Sequence, residues 1–332
     1  MTEVEPRIYD LCIIGTGMSG MSAAVFAANR GFSTALIGSS GEIIFASGLL
    51  DLLGVHPIGE GKTWRDPWAG IDVLKRSTPL HPYARLEKKD ILAGFEELLD
   101  FLEKSGVPYR RSVKGNSEVP TALGTTKLTY CVPQTMWHGA EALAGKKPCL
   151  LIGIQGLKGF SAYQIAATLN ARWPELRSVQ IPFPGLSHHG EVYAERLARA
   201  LELNANRKRF AGEVRPCLDG AKFVGFPPIL GIKNSPEIFA DLQDLIEIPI
   251  FEVPGTSPSV PGLRLKEAFE HFLPQSAVRL FSQHRVLNLS PDASGSFILE
   301  IGRFSAECTV RSKAVILATG GFIGGGLRAG RK

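Results

Sequence analysis

The chain has 332 residues, 44% hydrophobic and 21% charged, which supplies a sizeable core and a length that favours two domains. Its 37 basic and 32 acidic residues leave a formal charge of +5 with no basic run, which argues against a nucleic-acid partner, although a few cations in a cleft suffice to draw a small anion. No apolar run approaches the roughly 18 to 20 residues of a membrane span, so membrane contact is expected to pass through a partner.

In chain order, the apolar run 8–14 ending at Gly15 predicts a buried parallel strand, Ser19 to Arg30 a helix stopped by Gly31, and Ser33 to Ile37 a second strand. This is one βαβ unit. The Gly/Ser-rich stretch 38–48 is expected to be a loop, and 66–82, with its prolines and few periodic apolar residues, an excursion. Asp90 to Ser105 has helical spacing. Strand-like runs follow at 149–154, 179–182, 222–226 and 248–253, alternating with helical patterns at 162–172, 191–203 and 236–246. That alternation predicts a small parallel sheet covered by helices. Pro254 to Pro261 reads as a crossing back, followed by a helix over 263–272, strands over 278–290 and 297–301, and a last apolar strand over 314–318. The fold class expected is α/β: a Rossmann-like dinucleotide-binding domain over 1–87 and 254–332, with a second α/β domain inserted over 88–253.

Cys12, Cys131, Cys149, Cys217 and Cys308 are odd in number, far apart and without a CxxC pair, which fits a reducing, cytoplasmic compartment. It also argues against an iron–sulfur cluster held by this chain alone, because such clusters take closely grouped thiolates. The start carries Glu3, Glu5 and Asp10, whereas a signal peptide needs a basic start and a longer apolar stretch.

The chemistry begins at Gly15-Thr-Gly17-Met18-Ser19-Gly20, between a predicted strand and a predicted helix. There Gly15 permits the tight turn, Gly17 lets backbone approach a pyrophosphate, and Gly20 allows close helix packing, while free helix N–H groups face the anion. The acidic residue expected about 20 residues on, for the ribose hydroxyls, is missing, since 38–41 read Gly-Ser-Ser-Gly and Glu42 comes late. Glu42 reaches the ribose, the loop serines substitute, or the cofactor is a mononucleotide. Ala318-Thr319-Gly320-Gly321 resembles the segment by which many flavoproteins return to their nucleotide-binding domain, which favours a flavin over a nicotinamide. Ser47 and Gly48, just past the second strand, stand where flavoproteins of the fumarate reductase type place small residues against the flavin. FAD is the first choice and FMN the alternative.

Several segments together, Phe45-Ala-Ser-Gly-Leu-Leu-Asp-Leu-Leu53, His81-Pro-Tyr83, Leu123-Gly-Thr125, Ile152-Gly-Ile-Gln-Gly-Leu157 and Ser257-Pro-Ser-Val-Pro-Gly-Leu-Arg-Leu265, resemble the B-subunit family of anaerobic glycerol-3-phosphate dehydrogenases. The resemblance runs from about Tyr9 to Leu327. It implies a flavin-dependent subunit, often assigned FMN, working beside a catalytic partner subunit that oxidises glycerol 3-phosphate and an iron–sulfur membrane-anchor subunit. Electrons then pass towards quinone, and the chain sits peripherally at the inner membrane through its partner. One departure is that this sequence stops soon after Gly320-Gly321, where the family continues with a Gly-rich strand and helix at the flavin. It is accordingly read as a fragment or a shortened homologue.

Oxidation of glycerol 3-phosphate requires a base for the hydroxyl proton, a hydride acceptor and cations for the phosphate. His81 and Arg264, inside segments that resemble the family, are the catalytic candidates, with Arg264 also a substrate ligand. Against them stand a turn-capping histidine before Pro82 and a surface helix arginine. Lys127 is a further phosphate candidate. His188-His189 with Glu191 lacks the HExxH spacing and reads as a solvated helix start, so no metal is expected.

Overall fold

The opening apolar run and its glycine turn fold as a βαβ unit. The computed structural model describes residues 3–38, 42–185, 191–321 and 330. β1 (Glu3–Ile14) buries Tyr9, Cys12 and Ile13, and α1 (Met18–Asn29) turns Gly20, Met21, Ala24 and Val25 inward. β2 (Thr34–Gly38) then pairs parallel to β1, with Leu11 beside Thr34 and Ile14 beside Ile37. At the foot of β1, the Asp10 carboxylate accepts the Ser33 amide at 3.0 Å, the Ser33 hydroxyl at 2.6 Å and the Lys313 ammonium at 2.7 Å. With the lysine contributing most, these donors hold its carboxyl well below the usual carboxylate range.

Two compact units emerge, one of 1–45 with 266–332 and the other of 46–265. The second unit therefore starts soon after β2 and ends within a helix, whereas the sequence places its limits at 88 and 253. The reason lies in 66–82, read from sequence as an excursion. It contains α2 (Pro67–Ser77), whose Ile71 belongs to an apolar cluster with Leu52, Tyr130 and Cys131 of the same unit. Next come α3 (Lys88–Lys104), β3 (Tyr109–Arg110), the antiparallel pair β4 (Ser117–Pro120) and β5 (Thr126–Thr129), and β6 (Val132–Pro133), which pairs with β3. α4 (Gln134–Gly145), which the sequence patterns do not predict, leads into the main sheet.

That sheet uses β7 (Cys149–Ile154), α5 (Ala162–Leu169), β8 (Leu176–Ile181), α6 (Ala194–Leu201), α7 (Asn204–Val214), β9 (Phe223–Phe226), α8 (Ser235–Ile246) and β10 (Ile250–Glu252). Its order is β10-β9-β7-β8, all parallel. β7 is buried on both faces: Leu150 and Ile152 pack with Phe210, Phe226 and Leu242, while Cys149 and Leu151 pack with Ile165, Trp173 and Phe251.

α9 (Val260–Phe272) carries the chain back to the first unit. β11 (Val278–Ser282), β12 (Arg285–Pro291), β13 (Phe297–Gly302) and β14 (Cys308–Leu317) complete a six-stranded sheet of order β11-β2-β1-β14-β13-β12. β11, β2, β1 and β14 are parallel, and β12 and β13 return antiparallel. The single strand expected over 278–290 is two, broken where Gln283 takes a φ of 59°. The core joins Tyr9, Cys12, Ile37, Phe281, Leu299 and Val310. Among the described residues, no helix is long and apolar enough to cross a membrane.

Candidate functional site

In the first unit the glycine turn lies between two strand ends. Gly15 donates its amide to the Ile37 carbonyl at 2.7 Å, and Ala318 donates to the Ile14 carbonyl at 2.8 Å. Gly15 has a φ of 121°, where an L side chain is strained, and a methyl group on it would overlap the Ala318 carbonyl. A methyl group on Gly20 would overlap the Gly15 carbonyl, so this glycine lets α1 press onto the turn. Gly17 differs from both. It is the N-cap of α1, and a methyl group on it would meet nothing within 4 Å among the described residues.

No side chain caps α1, and its first turn has no acidic residue. The leading amides of Met18, Ser19 and Gly20 end the helix with a partial positive charge that, among the described residues, no capping side chain or first-turn carboxylate offsets, which suits a phosphate anion. Thr319, Gly320 and Gly321 follow directly on Ala318, and among the described residues a methyl group on either glycine meets nothing within 4 Å. This geometry fits a dinucleotide pyrophosphate: close packing where Gly15 and Gly20 stand, and open approach at Gly17. Residues 39–41 and the Glu42 side chain, on which the ribose contact turns, lie outside the described residues, as do His188 and His189.

Ser47 and Gly48 belong to the second unit. Ser47 accepts the Leu49 amide at 3.3 Å in a local turn. Gly48, with a φ of 83°, is where a methyl group would come within 2.7 Å of Pro261, and its carbonyl accepts the Tyr109 hydroxyl at 2.6 Å. The small size of Gly48 is required by its packing against Pro261 within that unit.

The two catalytic candidates are each engaged structurally. His81 caps a short helical turn, 82–85, its Nδ1 accepting the Tyr83 amide at 3.2 Å. In this arrangement the Nδ1 lone pair is engaged in a local turn. Arg264 is only 3% exposed. Its guanidinium donates to both oxygens of the fully buried Glu252 at 2.6 and 2.8 Å, to the Gly231 carbonyl at 2.8 Å and to the Thr135 hydroxyl at 3.3 Å. Glu252 in turn accepts the Leu230 amide at 2.7 Å. Arg264 is thus neither a surface helix residue nor a free substrate ligand. It ties α9 to β10, to the loop after β9 and to α4.

Lys127 is placed differently. It lies on β5 in a cleft of about 720 Å3 whose lining includes Asp51, Arg65, Glu118, Thr126 and Arg172. Its ammonium pairs with Asp51 at 2.7 Å. Glu118 is shared between Arg65 and Arg172, each at 2.7 Å, and accepts the Thr126 hydroxyl at 2.6 Å. Burial pulls its carboxyl upward, but the hydroxyl and the two arginines outweigh that and hold it below its ordinary range. Three cations against two carboxylates leave this cleft a net positive charge. Arg65 and Arg172 are not singled out by the sequence, because nothing in their local pattern connects them to Lys127.

The FAD binding domain family matches residues 10–280. An anaerobic glycerol-3-phosphate dehydrogenase B subunit from Pectobacterium atrosepticum is 29% identical over 326 residues, covering 96% of this chain and 76% of that protein. A probable anaerobic glycerol-3-phosphate dehydrogenase B subunit from Halobacterium salinarum is 30% identical over 336 residues, covering 97% of this chain and 76% of that protein. Among solved structures, glycine oxidase from Geobacillus kaustophilus is 14% identical with a TM-score of 0.33, covering 97% of this chain and 56% of that one. A 3-ketosteroid dehydrogenase from Rhodococcus jostii, also 14% identical, has a TM-score of 0.37 and covers 97% of this chain and 49% of that one.

Proposed function

The chain belongs to the FAD binding domain family and to that of the anaerobic glycerol-3-phosphate dehydrogenase B subunits, and from that membership we propose that it is the flavin-dependent subunit of a respiratory glycerol-3-phosphate dehydrogenase. In this reading it oxidises sn-glycerol 3-phosphate to dihydroxyacetone phosphate beside a catalytic partner subunit and an iron–sulfur membrane-anchor subunit. Electrons leave towards quinone, and the chain is held peripherally at the inner membrane by the anchor. The observation that carries the proposal is the uncapped glycine turn of a chain in these two families.

FAD, when bound, supplies a two-electron acceptor. The amides of Gly17, Met18, Ser19 and Gly20 hold its pyrophosphate, with Thr319, Gly320 and Gly321 beside the turn. Lys127, Arg65 and Arg172 offer the substrate phosphate a cationic seat, Lys127 exchanging Asp51 for the incoming dianion.

A second reading, favoured by the engagement of His81 and Arg264 in the protein's own framework, is that the chain relays electrons or serves assembly while the partner subunit oxidises the alcohol. One experiment separates the two. The purified chain loaded with FAD and mixed anaerobically with sn-glycerol 3-phosphate is expected to lose its visible flavin absorbance. A band that persists with substrate and bleaches only with a chemical reductant assigns the relay role. Recovery of a nicotinamide instead of a flavin from the protein would remove both readings.

A further inference from the structure

We propose that the second unit carries a ligand site of its own, a pocket for a small phosphate monoester at the carboxyl ends of β7, β9 and β10, independent of the oxidation reaction. With the order β10-β9-β7-β8, the chain runs outward from β7 to β8 and then crosses back over β7 to β9. Connections on the two sides of the β7/β9 junction leave in opposite directions, which opens a crevice outside the carboxyl ends of the strands, where open parallel sheets bind ligands.

A cavity of about 260 Å3 lies there, formed by 157–160 after β7, Pro227 and Pro228 after β9, and 255–259 after β10. It is slightly smaller than the roughly 300 Å3 at which pockets for drug-sized ligands begin, so it suits a small metabolite.

Its chemistry has two halves. One wall is apolar, with Leu157, Phe160, Tyr193, Pro227 and Pro228. The other carries the polar groups, Lys158 and Thr256 with Glu195 beside them. The loop from β7 to α5, Gln155-Gly-Leu-Lys-Gly-Phe-Ser161, turns at Gly156 and Gly159, with φ of 78° and 76°, and presents Lys158 to the cavity. Thr256 faces that loop so closely that a methyl group on Gly159 would come within 2.6 Å of its hydroxyl. Ala194 and Glu195, the first turn of α6, also line the cavity, and no side chain caps that helix.

Among the described residues, the charged side chains at the site are Lys158, Glu191 and Glu195. The Glu195 carboxylate is engaged by Arg199 at 2.9 and 3.1 Å, whereas Lys158 is paired with Glu191 at 2.9 Å and Glu191 accepts the Tyr193 hydroxyl at 3.2 Å. Lys158 and Glu191 are both more than half exposed, so their pair is weak and a phosphate dianion can displace Glu191.

The test titrates inorganic phosphate and phenyl phosphate, followed by phosphorus NMR, into the FAD-saturated Lys127→Met chain and its further variants, so that the glycine turn is occupied and the cationic cleft around Lys127 is disabled. Both probes are expected to bind saturably, phenyl phosphate more tightly because its ring meets the apolar wall. Lys158→Gln should weaken both by about tenfold, the loss of one charge-assisted contact. Glu191→Gln should strengthen both by freeing Lys158, a gain that a merely structural ion pair would not produce. Thr256→Trp, on an exposed loop, should fill the cavity and abolish phenyl phosphate binding while leaving thermal unfolding unchanged. Absence of saturable binding up to about 10 mM, a very weak affinity of a few kcal/mol, overturns the proposal. So does binding that is unchanged in Lys158→Gln or Thr256→Trp, or that Glu191→Gln leaves no tighter.

Discussion

Replacing Gly17 with alanine separates cofactor binding from folding at the turn. Gly17 has φ −78° and ψ −179°, extended backbone that alanine adopts freely, and the added methyl group meets nothing within 4 Å. Where the native conformation accepts alanine, the exchange raises stability by about 0.4–1 kcal/mol through the unfolded chain. The same methyl group stands where a pyrophosphate approaches the amides of α1. Displacing it from one such charge-assisted hydrogen bond forfeits about 1.5–3 kcal/mol, so the Kd for FAD should rise by roughly tenfold to a hundredfold. Flavin fluorescence titration gives the affinity, and thermal unfolding of the cofactor-free protein gives the stability. A Kd unchanged in G17A would refute the placement of the pyrophosphate at this turn. Gly20→Ala supplies the contrast: its methyl group overlaps the Gly15 carbonyl, an overpacking that costs about 1–3 kcal/mol with or without cofactor.

Arg264→Ala should lower stability by about 3–5 kcal/mol in denaturant titration, because it strands the buried Glu252 carboxylate without its partner. Lys127→Met should raise the KM for sn-glycerol 3-phosphate about tenfold with little change in kcat, the loss of a contact made equally before and during reaction. Burial pushes the Cys12 and Cys131 thiols up to about 12 and raises Cys149 as well, so brief alkylation of the folded protein should modify Cys217 and Cys308 only, as read by mass spectrometry, and all five after unfolding. Asp10 has a folded pKa below its unfolded value of about 3.9, so its contribution is present in full above that pH and is lost as pH falls towards the folded value. Asp10→Asn should therefore lower the Tm at neutral pH, with the gap from the unmodified protein closing below about pH 4.

What the sequence disclosed depended on whether the cause was local. The opening βαβ unit and the parallel sheet of the second unit could be read because apolar runs bounded by glycine report burial on both faces directly. α2 also had a local start signal, Asp66 before Pro67 at the first helical position, and Asp66 does accept the Trp68 amide at 2.9 Å. That signal was obscured by the neighbouring prolines. α4 gave no such signal: Pro133 precedes it, and Gly139 in its middle reads as a breaker. The glycine is required by tertiary packing, since a methyl group there would come within 2.6 Å of the Phe251 ring. Site residues divide in the same way. The turn at 15–20 is contiguous, so its geometry was visible. Arg264 could not be judged, because a buried ion pair and a substrate clamp use the same residue, and only Glu252 on β10 tells them apart. The cleft around Lys127 was hidden for the same reason. Glu118 on β4 and Thr126 on β5 become neighbours through the hairpin, and Arg172 reaches both from beyond α5, donating to the Thr126 hydroxyl at 2.6 Å. A net positive cluster assembled from separated elements has no linear pattern, so it has to be sought from the paired charges of the fold.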